Sequence, residues 1–208
     1  YLTNTDPNSN NFNETYTELD PLISLVDENG NPCPNVNKHY NFEGYKIYQL
    51  KSATVSANDL EDPNNARLIY QCDLKNGISR LINYEFDQSL GAGVPKEKVS
   101  GADLGLSHSI KITADAFASG PLVNHKSYYF MAVAYGYNEF KKYKQDMPPT
   151  NVNMCDPAAG ASTGQKKPYK QGRKNLITYS AIPHISTPYT GGTELHAEYG
   201  SGPQITRI

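Results

Sequence analysis

The dipeptide Asn76-Gly77, set between two apolar runs, constrains this chain more than any other feature. Asn-Gly is favoured where both central residues of a two-residue turn need positive φ, so the pattern predicts a β-hairpin. A turn of that kind pairs Lys75 with Ile78, Asp73 with Arg80 and Cys72 with Leu81. The opposite charges then share one face, while Leu68, Tyr70, Cys72, Leu74 and Leu81 share the other, which is the side to bury.

Further strand signals flank it. In residues 42–50 alternation puts Tyr45 and Ile47 on one face, the core side, and Lys46 and Tyr48 on the other. Residues 107–113 alternate as a strand. The run Tyr128 to Tyr135 is apolar on both faces and reads as a central strand. A last strand covers 175–182 and ends at Pro183, and residues 22–26 make a short one. Residues 58–65 start a helical turn that Pro63 stops. Residues 4–20 are polar and Asn-rich and read as a long loop; 138–172 form a second, the length at which loops carry function or stay disordered. No internal repeat and no long helix is present in the pattern.

Composition agrees with this all-β reading. Sixteen Tyr against 6 Phe and no Trp, with abundant Asn, Pro and Gly, favour strands and turns. An apolar fraction of 38% supplies one modest core, enough for a single sandwich with long loops. A formal charge of −2 is too small to steer the whole molecule to nucleic acid or anionic membranes, and no stretch reaches the roughly 18 apolar residues of a membrane span. The chain begins without Met and without a signal-peptide pattern, which reads as an internal or processed piece.

Three cysteines allow at most one intramolecular disulfide. Cys33 and Cys155, both in Pro/Asn-rich loops, are the pair nominated; Cys72, inside an apolar strand, reads as a core residue. No CxxC spacing points to zinc, and the five histidines lack ligand spacing. Ser107, His108, Ser109 and Asp103 contain hydrolytic residue types, but no nucleophile elbow surrounds either serine, so no catalytic residue is nominated. Asp27 to Asn31, and the group Asp59, Glu61, Asp62, have oxygen ligands without the downstream bidentate acid of a calcium loop and read as turns. Calcium is the one cofactor such loops leave open. Residues 166–174 form the single basic cluster, around Tyr169. Tyr135, Tyr137 and Tyr143 are candidates for stacking on sugars.

The segment from Leu122 to Tyr128, followed by alternating Phe130, Ala132 and Ala134, resembles the strand start of fibronectin type III domains. There a Leu precedes by six residues the tyrosine of a tyrosine corner, whose hydroxyl ties to upstream backbone. The resemblance makes Tyr128 the corner tyrosine, Leu122 its companion, and Gly44-Tyr45 the start of the third strand. More of the chain is similar to fibronectin-like regions of very large surface or secreted Bacteroidetes proteins exported by the type IX pathway. The residues that carry this are 9–12, 42–50, 62–68, 122–138, 172–175 and the tail 191–208.

The resemblance implies an antiparallel fibronectin type III-like β-sandwich over 1–183, its first strand upstream of Tyr1, and a linker over 184–208 leading to a following domain. It implies a non-catalytic structural or interaction module, extracellular or at the cell surface, whose partners are neighbouring domains, another surface protein or a glycan. The alternatives are a glycan-binding adhesion module, or an accessory region of an enzyme whose catalytic domain lies elsewhere in the parent chain. The edge left by the first strand is expected to be filled by residues 22–26 or by another chain.

Overall fold

The computed structural model describes residues 2, 5, 7–8, 12–23, 26–27, 29–34, 36–146, 155, 164–174 and 176–184. Within them the chain is all-β and antiparallel, with helix limited to two short 3-10 turns, Phe12–Glu14 and Ala57–Asp59. The strands are β1 (Thr17–Leu19), β2 (His39–Leu50), β3 (Ala66–Asp73), β4 (Arg80–Asp87), β5 (Ala92–Ser100), β6 (Ala114–Asp115), β7 (Gly120–Pro121), β8 (Tyr128–Tyr137), β9 (Tyr169–Gln171) and β10 (Thr178–Ala181).

The long pair β2·β8 is the centre, paired from Asn41↔Tyr137 to Leu50↔Tyr129 with a register shift between Phe42 and Gly44. On its outer edge β2 carries β1 at residues 39–41 and β3 at 44–50. The outer edge of β8 carries β10 at 128–131 and β9 at 135–137. Each edge of the central pair is therefore shared by two strands laid end to end. The β4–β5 hairpin is a separate two-stranded sheet, as is β6–β7. Pro95 and the lysines 96 and 98 in β5 mark it as a guarded edge strand.

The Asn76-Gly77 hairpin is not formed: β3 pairs with β2, and β4 pairs with β5. Only Gly77 takes a positive φ, +86°, whereas a type I′ turn needs it at both central positions. The backbone N–H groups of Asn76 and Gly77 both donate to the Asp103 carboxylate, and the Asn76 side chain donates to Glu43. With those groups held by outside partners, the chain crosses over instead of folding back. Ile78 and Leu81 then join Val99, Tyr135 and Tyr169 on the far side of the sheet.

The one-sided reading of β2 is also corrected. From Phe42 to Leu50 every residue is buried, on the side expected to face solvent as well as on the core side; Glu43, Lys46 and Gln49 are among the buried polar residues. On one face Tyr48, Leu50, Met131 and Val133 pack beneath Val55, Leu60 and Ala66. On the other, Tyr45, Phe42, Cys72 and Ala134 pack with Tyr16 and Tyr40. Lys46 lies over the rings of Tyr169 and Tyr135, at 4.6 and 5.7 Å, and donates to the Lys98 carbonyl. Burial, with Lys98 nearby, holds its amine down at about 8.

Three other expectations change. Residues 107–113 are not paired as a strand; in the 22–26 segment Ile23 is buried and Val26 bridges Pro32, while residues 24 and 25 lie outside the described residues. The 138–172 stretch is not a bare loop, since it supplies β9 and a bridge from Lys142 to Gln165. Its residues 147–154 and 156–163, like the proposed linker from 185 on, lie outside the described residues.

Gly44 is where β2 must be side-chain free. A Cβ there would overlap the Cys72 carbonyl and stand 2.7 Å from the Tyr135 hydroxyl. Gly44→Ala is expected to cost about 1–3 kcal/mol through overpacking, read as a lowered urea midpoint with unchanged slope.

Candidate functional site

The nominated residues fall into separate places. Tyr45 stacks edge-on against Phe42 at 5.0 Å, its hydroxyl 3.4 Å from Glu14 Oε1. Tyr128 is 3% exposed, and its hydroxyl accepts from the Val123 N–H, five residues upstream, at 2.9 Å. Leu122 is half-buried, and its N–H donates to the Thr113 carbonyl. Cys33 and Cys155 are joined, with Cα atoms 5.2 Å apart, beside Ile23 and Phe140. Cys72 is a buried free thiol that donates to the Ser107 carbonyl.

The hydrolytic residue types are not assembled. His108 contacts Glu14 at 2.6 Å, Ser107 Oγ donates to the Ser109 carbonyl, and the Asp103 carboxylate accepts from Asn76 and Gly77. The acidic loops are held locally. Asp27 accepts from Asn29 and Asn31 in a turn with Gly30 at φ +82°. Asp59 accepts from Ser56, Asp62 from Asn64 and Asn65, and Glu61 pairs with Lys98. Among the described residues, no three His, Cys, Asp or Glu side chains gather as a metal site.

The basic cluster is partly spent on β1. Lys170 and Arg173 reach Glu18 at 2.7 and 2.5 Å. Burial pushes the Glu18 carboxyl up, but the hydrogen bonds from Lys170, Arg173 and Tyr16 outweigh it and leave it below its ordinary value.

The crossover that replaced the hairpin creates a site-like concavity. A cleft of about 410 Å³ opens between β4, the end of β8 and residues 139–143, lined by Arg80, Tyr84, Tyr137, Glu139, Lys142 and Tyr143. Tyr84 and Tyr143 meet edge-to-face at 4.5 Å, and Lys166 lies over the Tyr143 ring at 5.4 Å. Tyr137 donates to Glu139 at 3.1 Å, and Arg80 pairs with Glu97 at 2.6 Å. Apolar ring faces with charged hydrogen-bonding groups around them suit a flat polar ligand. Of the three tyrosines nominated for stacking, Tyr137 and Tyr143 line this cleft, while Tyr135 is 0% exposed and belongs to the core. Tyr84 was not nominated; its alternation in β4 gives no sign that β4 leaves β3.

Behind the cleft, a hollow of about 330 Å³ is lined by Glu43, Asn76, Tyr137 and Asn138 among others. Glu43 is 3% exposed and accepts from Asn76 Nδ2 at 3.1 and 2.9 Å. Burial raises its carboxyl to about 7, against the Asn76 hydrogen bond, and the charges of Asp73 and Asp103 add to the rise. Burial raises Asp73 as well. A carboxyl with a raised folded pKa binds its proton more tightly in the folded state. Its contribution is fully present below its ordinary value of 4.5 and is lost as pH rises through about 7.

The chain is therefore expected to lose stability between about pH 5 and pH 7, by up to about 3 kcal/mol. Carboxylates held low, such as Glu18 and Asp115, act only at lower pH and leave that window clear. Urea unfolding of wild type and Glu43→Gln at both ends of the window checks this, since the variant should flatten most of the slope. Against these geometries, no protein-family model matches the chain, and neither a curated protein nor a solved structure matches it.

Proposed function

We propose that this chain is a non-catalytic structural or interaction module of a large exported protein, with a fibronectin type III-like β-sandwich plan. The observation that carries it is the Cys33–Cys155 bridge. Structural disulfides persist in oxidising compartments, so a staple across 122 residues fits a secreted or cell-surface setting. Two features support the sandwich plan. The Tyr128 hydroxyl ties to backbone five residues upstream, as a tyrosine corner does. The order β3-β2-β8-β10 places the Gly44-Tyr45 strand beside the corner strand. The resemblance to type IX-exported Bacteroidetes proteins supplies the parent context. Removing the bridge with Cys33→Ala and Cys155→Ala is expected to cost roughly 2–5 kcal/mol, measured by urea unfolding. Free thiols at both positions in the exported protein, seen by non-reducing mass spectrometry, would sink the extracellular reading.

A second reading, glycan binding, is favoured by one specific arrangement: Tyr84, Tyr137 and Tyr143 converge with Arg80 and Lys142 on one cleft. Tyrosine faces stack on sugar rings and the cations suit acidic ones. On a glycan array, binding that falls at least tenfold in both Tyr84→Ala and Tyr143→Ala is the expected result. Silence across neutral and acidic glycans leaves the spacer role alone.

A further inference from the structure

The sequence holds two Asn-Gly dipeptides, Asn29-Gly30 and Asn76-Gly77, and the fold surrounds them differently. A glycine after asparagine leaves its own nitrogen unshielded by a side chain, so that nitrogen can approach the asparagine carboxamide carbon. Whether it reacts depends on the groups that meet the reacting atoms. At the first dipeptide the Gly30 N–H donates to the Asp27 backbone carbonyl at 3.0 Å, a poor proton acceptor. The Asp27 carboxylate is taken up by the Asn29 and Asn31 N–H groups and the Asn31 side chain, and among the described residues no carboxyl group hydrogen-bonds the Asn29 carboxamide.

At the second dipeptide all three reacting atoms are met. The Gly77 N–H donates to Asp103 Oδ1 at 3.0 Å, so the attacking nitrogen already has a carboxylate on its proton. The Ile78 N–H donates to Asn76 Oδ1 at 3.0 Å, which polarises the carbonyl to be attacked. That hydrogen bond closes a ring containing the Gly77 nitrogen, so the carboxamide is folded back toward it. Asn76 Nδ2, the nitrogen that would leave, donates to both Glu43 oxygens at 3.1 and 2.9 Å. Burial, which raises the Glu43 carboxyl to about 7, keeps a proton on it into the neutral range. Asp103 is held for this contact in a backbone conformation that a residue other than glycine seldom takes, φ +51°, with its N–H on the Asp73 carboxylate at 3.1 Å.

We propose that Asn76 is a self-modifying residue, converted through a cyclic imide with Asp103 as the base and Glu43 as the acid. The Asp103 carboxylate takes the Gly77 N–H proton as that nitrogen bonds to the Asn76 side-chain carbon. The Ile78 N–H steadies the negative charge that gathers on Oδ1. The bond from that carbon to Nδ2 then breaks, Glu43 gives its proton to the departing nitrogen, and ammonia leaves. Asp103 returns the gained proton to water and Glu43 recovers the lost one from it. Asn76 and Gly77 are exposed, so water adds to either carbonyl of the imide and breaks its bond to nitrogen, leaving an aspartyl or isoaspartyl residue at position 76. The product loses the Nδ2 donor and sets a second carboxylate against Glu43. Gly77 and Ile78 wall the tyrosine cleft and Asn76 the hollow behind it, so the conversion alters the site from within. It happens once per chain, turns over no substrate, and does not depend on the proposed role of the module.

The test incubates the full chain at neutral pH, folded or unfolded in urea, and follows positions 29 and 76 by peptide mass spectrometry. Isoaspartyl methyltransferase labelling identifies the iso product. Unfolded, the two positions should convert at similar rates, because only the shared dipeptide acts. Folded, position 76 should convert roughly tenfold or more faster than it does unfolded, while position 29 gains nothing. Asp103→Asn, a side chain that tolerates the left-handed backbone there, and Glu43→Gln should each return position 76 to about its unfolded rate, with a circular dichroism spectrum like wild type. Conversion at 76 no faster in the folded wild type than in the unfolded chain would overturn the proposal and make these hydrogen bonds a lock on the dipeptide; that comparison needs no variant to fold. Fast conversion undiminished in either folded variant would overturn it as well, since the named carboxyl would then play no part.

Discussion

The pairing of β2 with β8 is the interaction on which the rest of the structure depends. It is the longest ladder, and every other strand of the large sheet attaches to one of its two members. Because both strands pack side chains on both faces, a shift of one residue would exchange two packed surfaces at once. Gly44, pressed against the Cys72 carbonyl and the Tyr135 ring, pins the register where β3 joins.

Burying β2 on both sides forces polar groups out of water, and several of them are met by specific partners. Gln49, 2% exposed, donates to Asp115 at 2.7 Å and accepts from the Ala116 N–H at 2.8 Å, which fixes the β6–β7 turn beneath the sheet. The Tyr40 hydroxyl lies within hydrogen-bonding distance of both Asp20 and the Lys167 carbonyl, which share its one proton, and Gln165 donates to both Asp20 and Tyr40. Asn83 exchanges two hydrogen bonds with the Tyr169 backbone and so ties the β4–β5 hairpin to β9. Unpaired, such groups would each cost on the order of 1–3 kcal/mol. These contacts are long in sequence, so they specify which loop lies over which strand.

The division of labour between the two faces follows. The hairpin β4–β5 and the 51–66 segment seal one face, and at their meeting with the β8 end they leave the tyrosine cleft. The opposite face is sealed toward Tyr16 and Tyr40 and open toward Ile112 and Tyr179. One polar aromatic cleft and one apolar hollow give the described surface two chemically different concavities.

The sequence by itself determined that the chain is built of antiparallel strands, because alternation in 42–50 and the doubly apolar run at 128–135 are local properties of side-chain order. It also marked Tyr128, whose tie to Val123 closes over five residues, and brought Cys33 and Cys155 together only as the two cysteines in loops. What the tertiary structure alone decided was which strands pair. Asn76-Gly77 looked like a hairpin because its turn chemistry is local, yet Glu43 and Asp103, 33 and 27 residues away, took its hydrogen-bonding groups and sent β4 to the other side. Lys46 and Glu43 gave the same lesson, since charged residues read as solvent-facing until a hairpin from elsewhere covers them. Local pattern encodes the element; non-local burial and hydrogen bonding choose its neighbour, and the clefts exist only where those choices leave a gap.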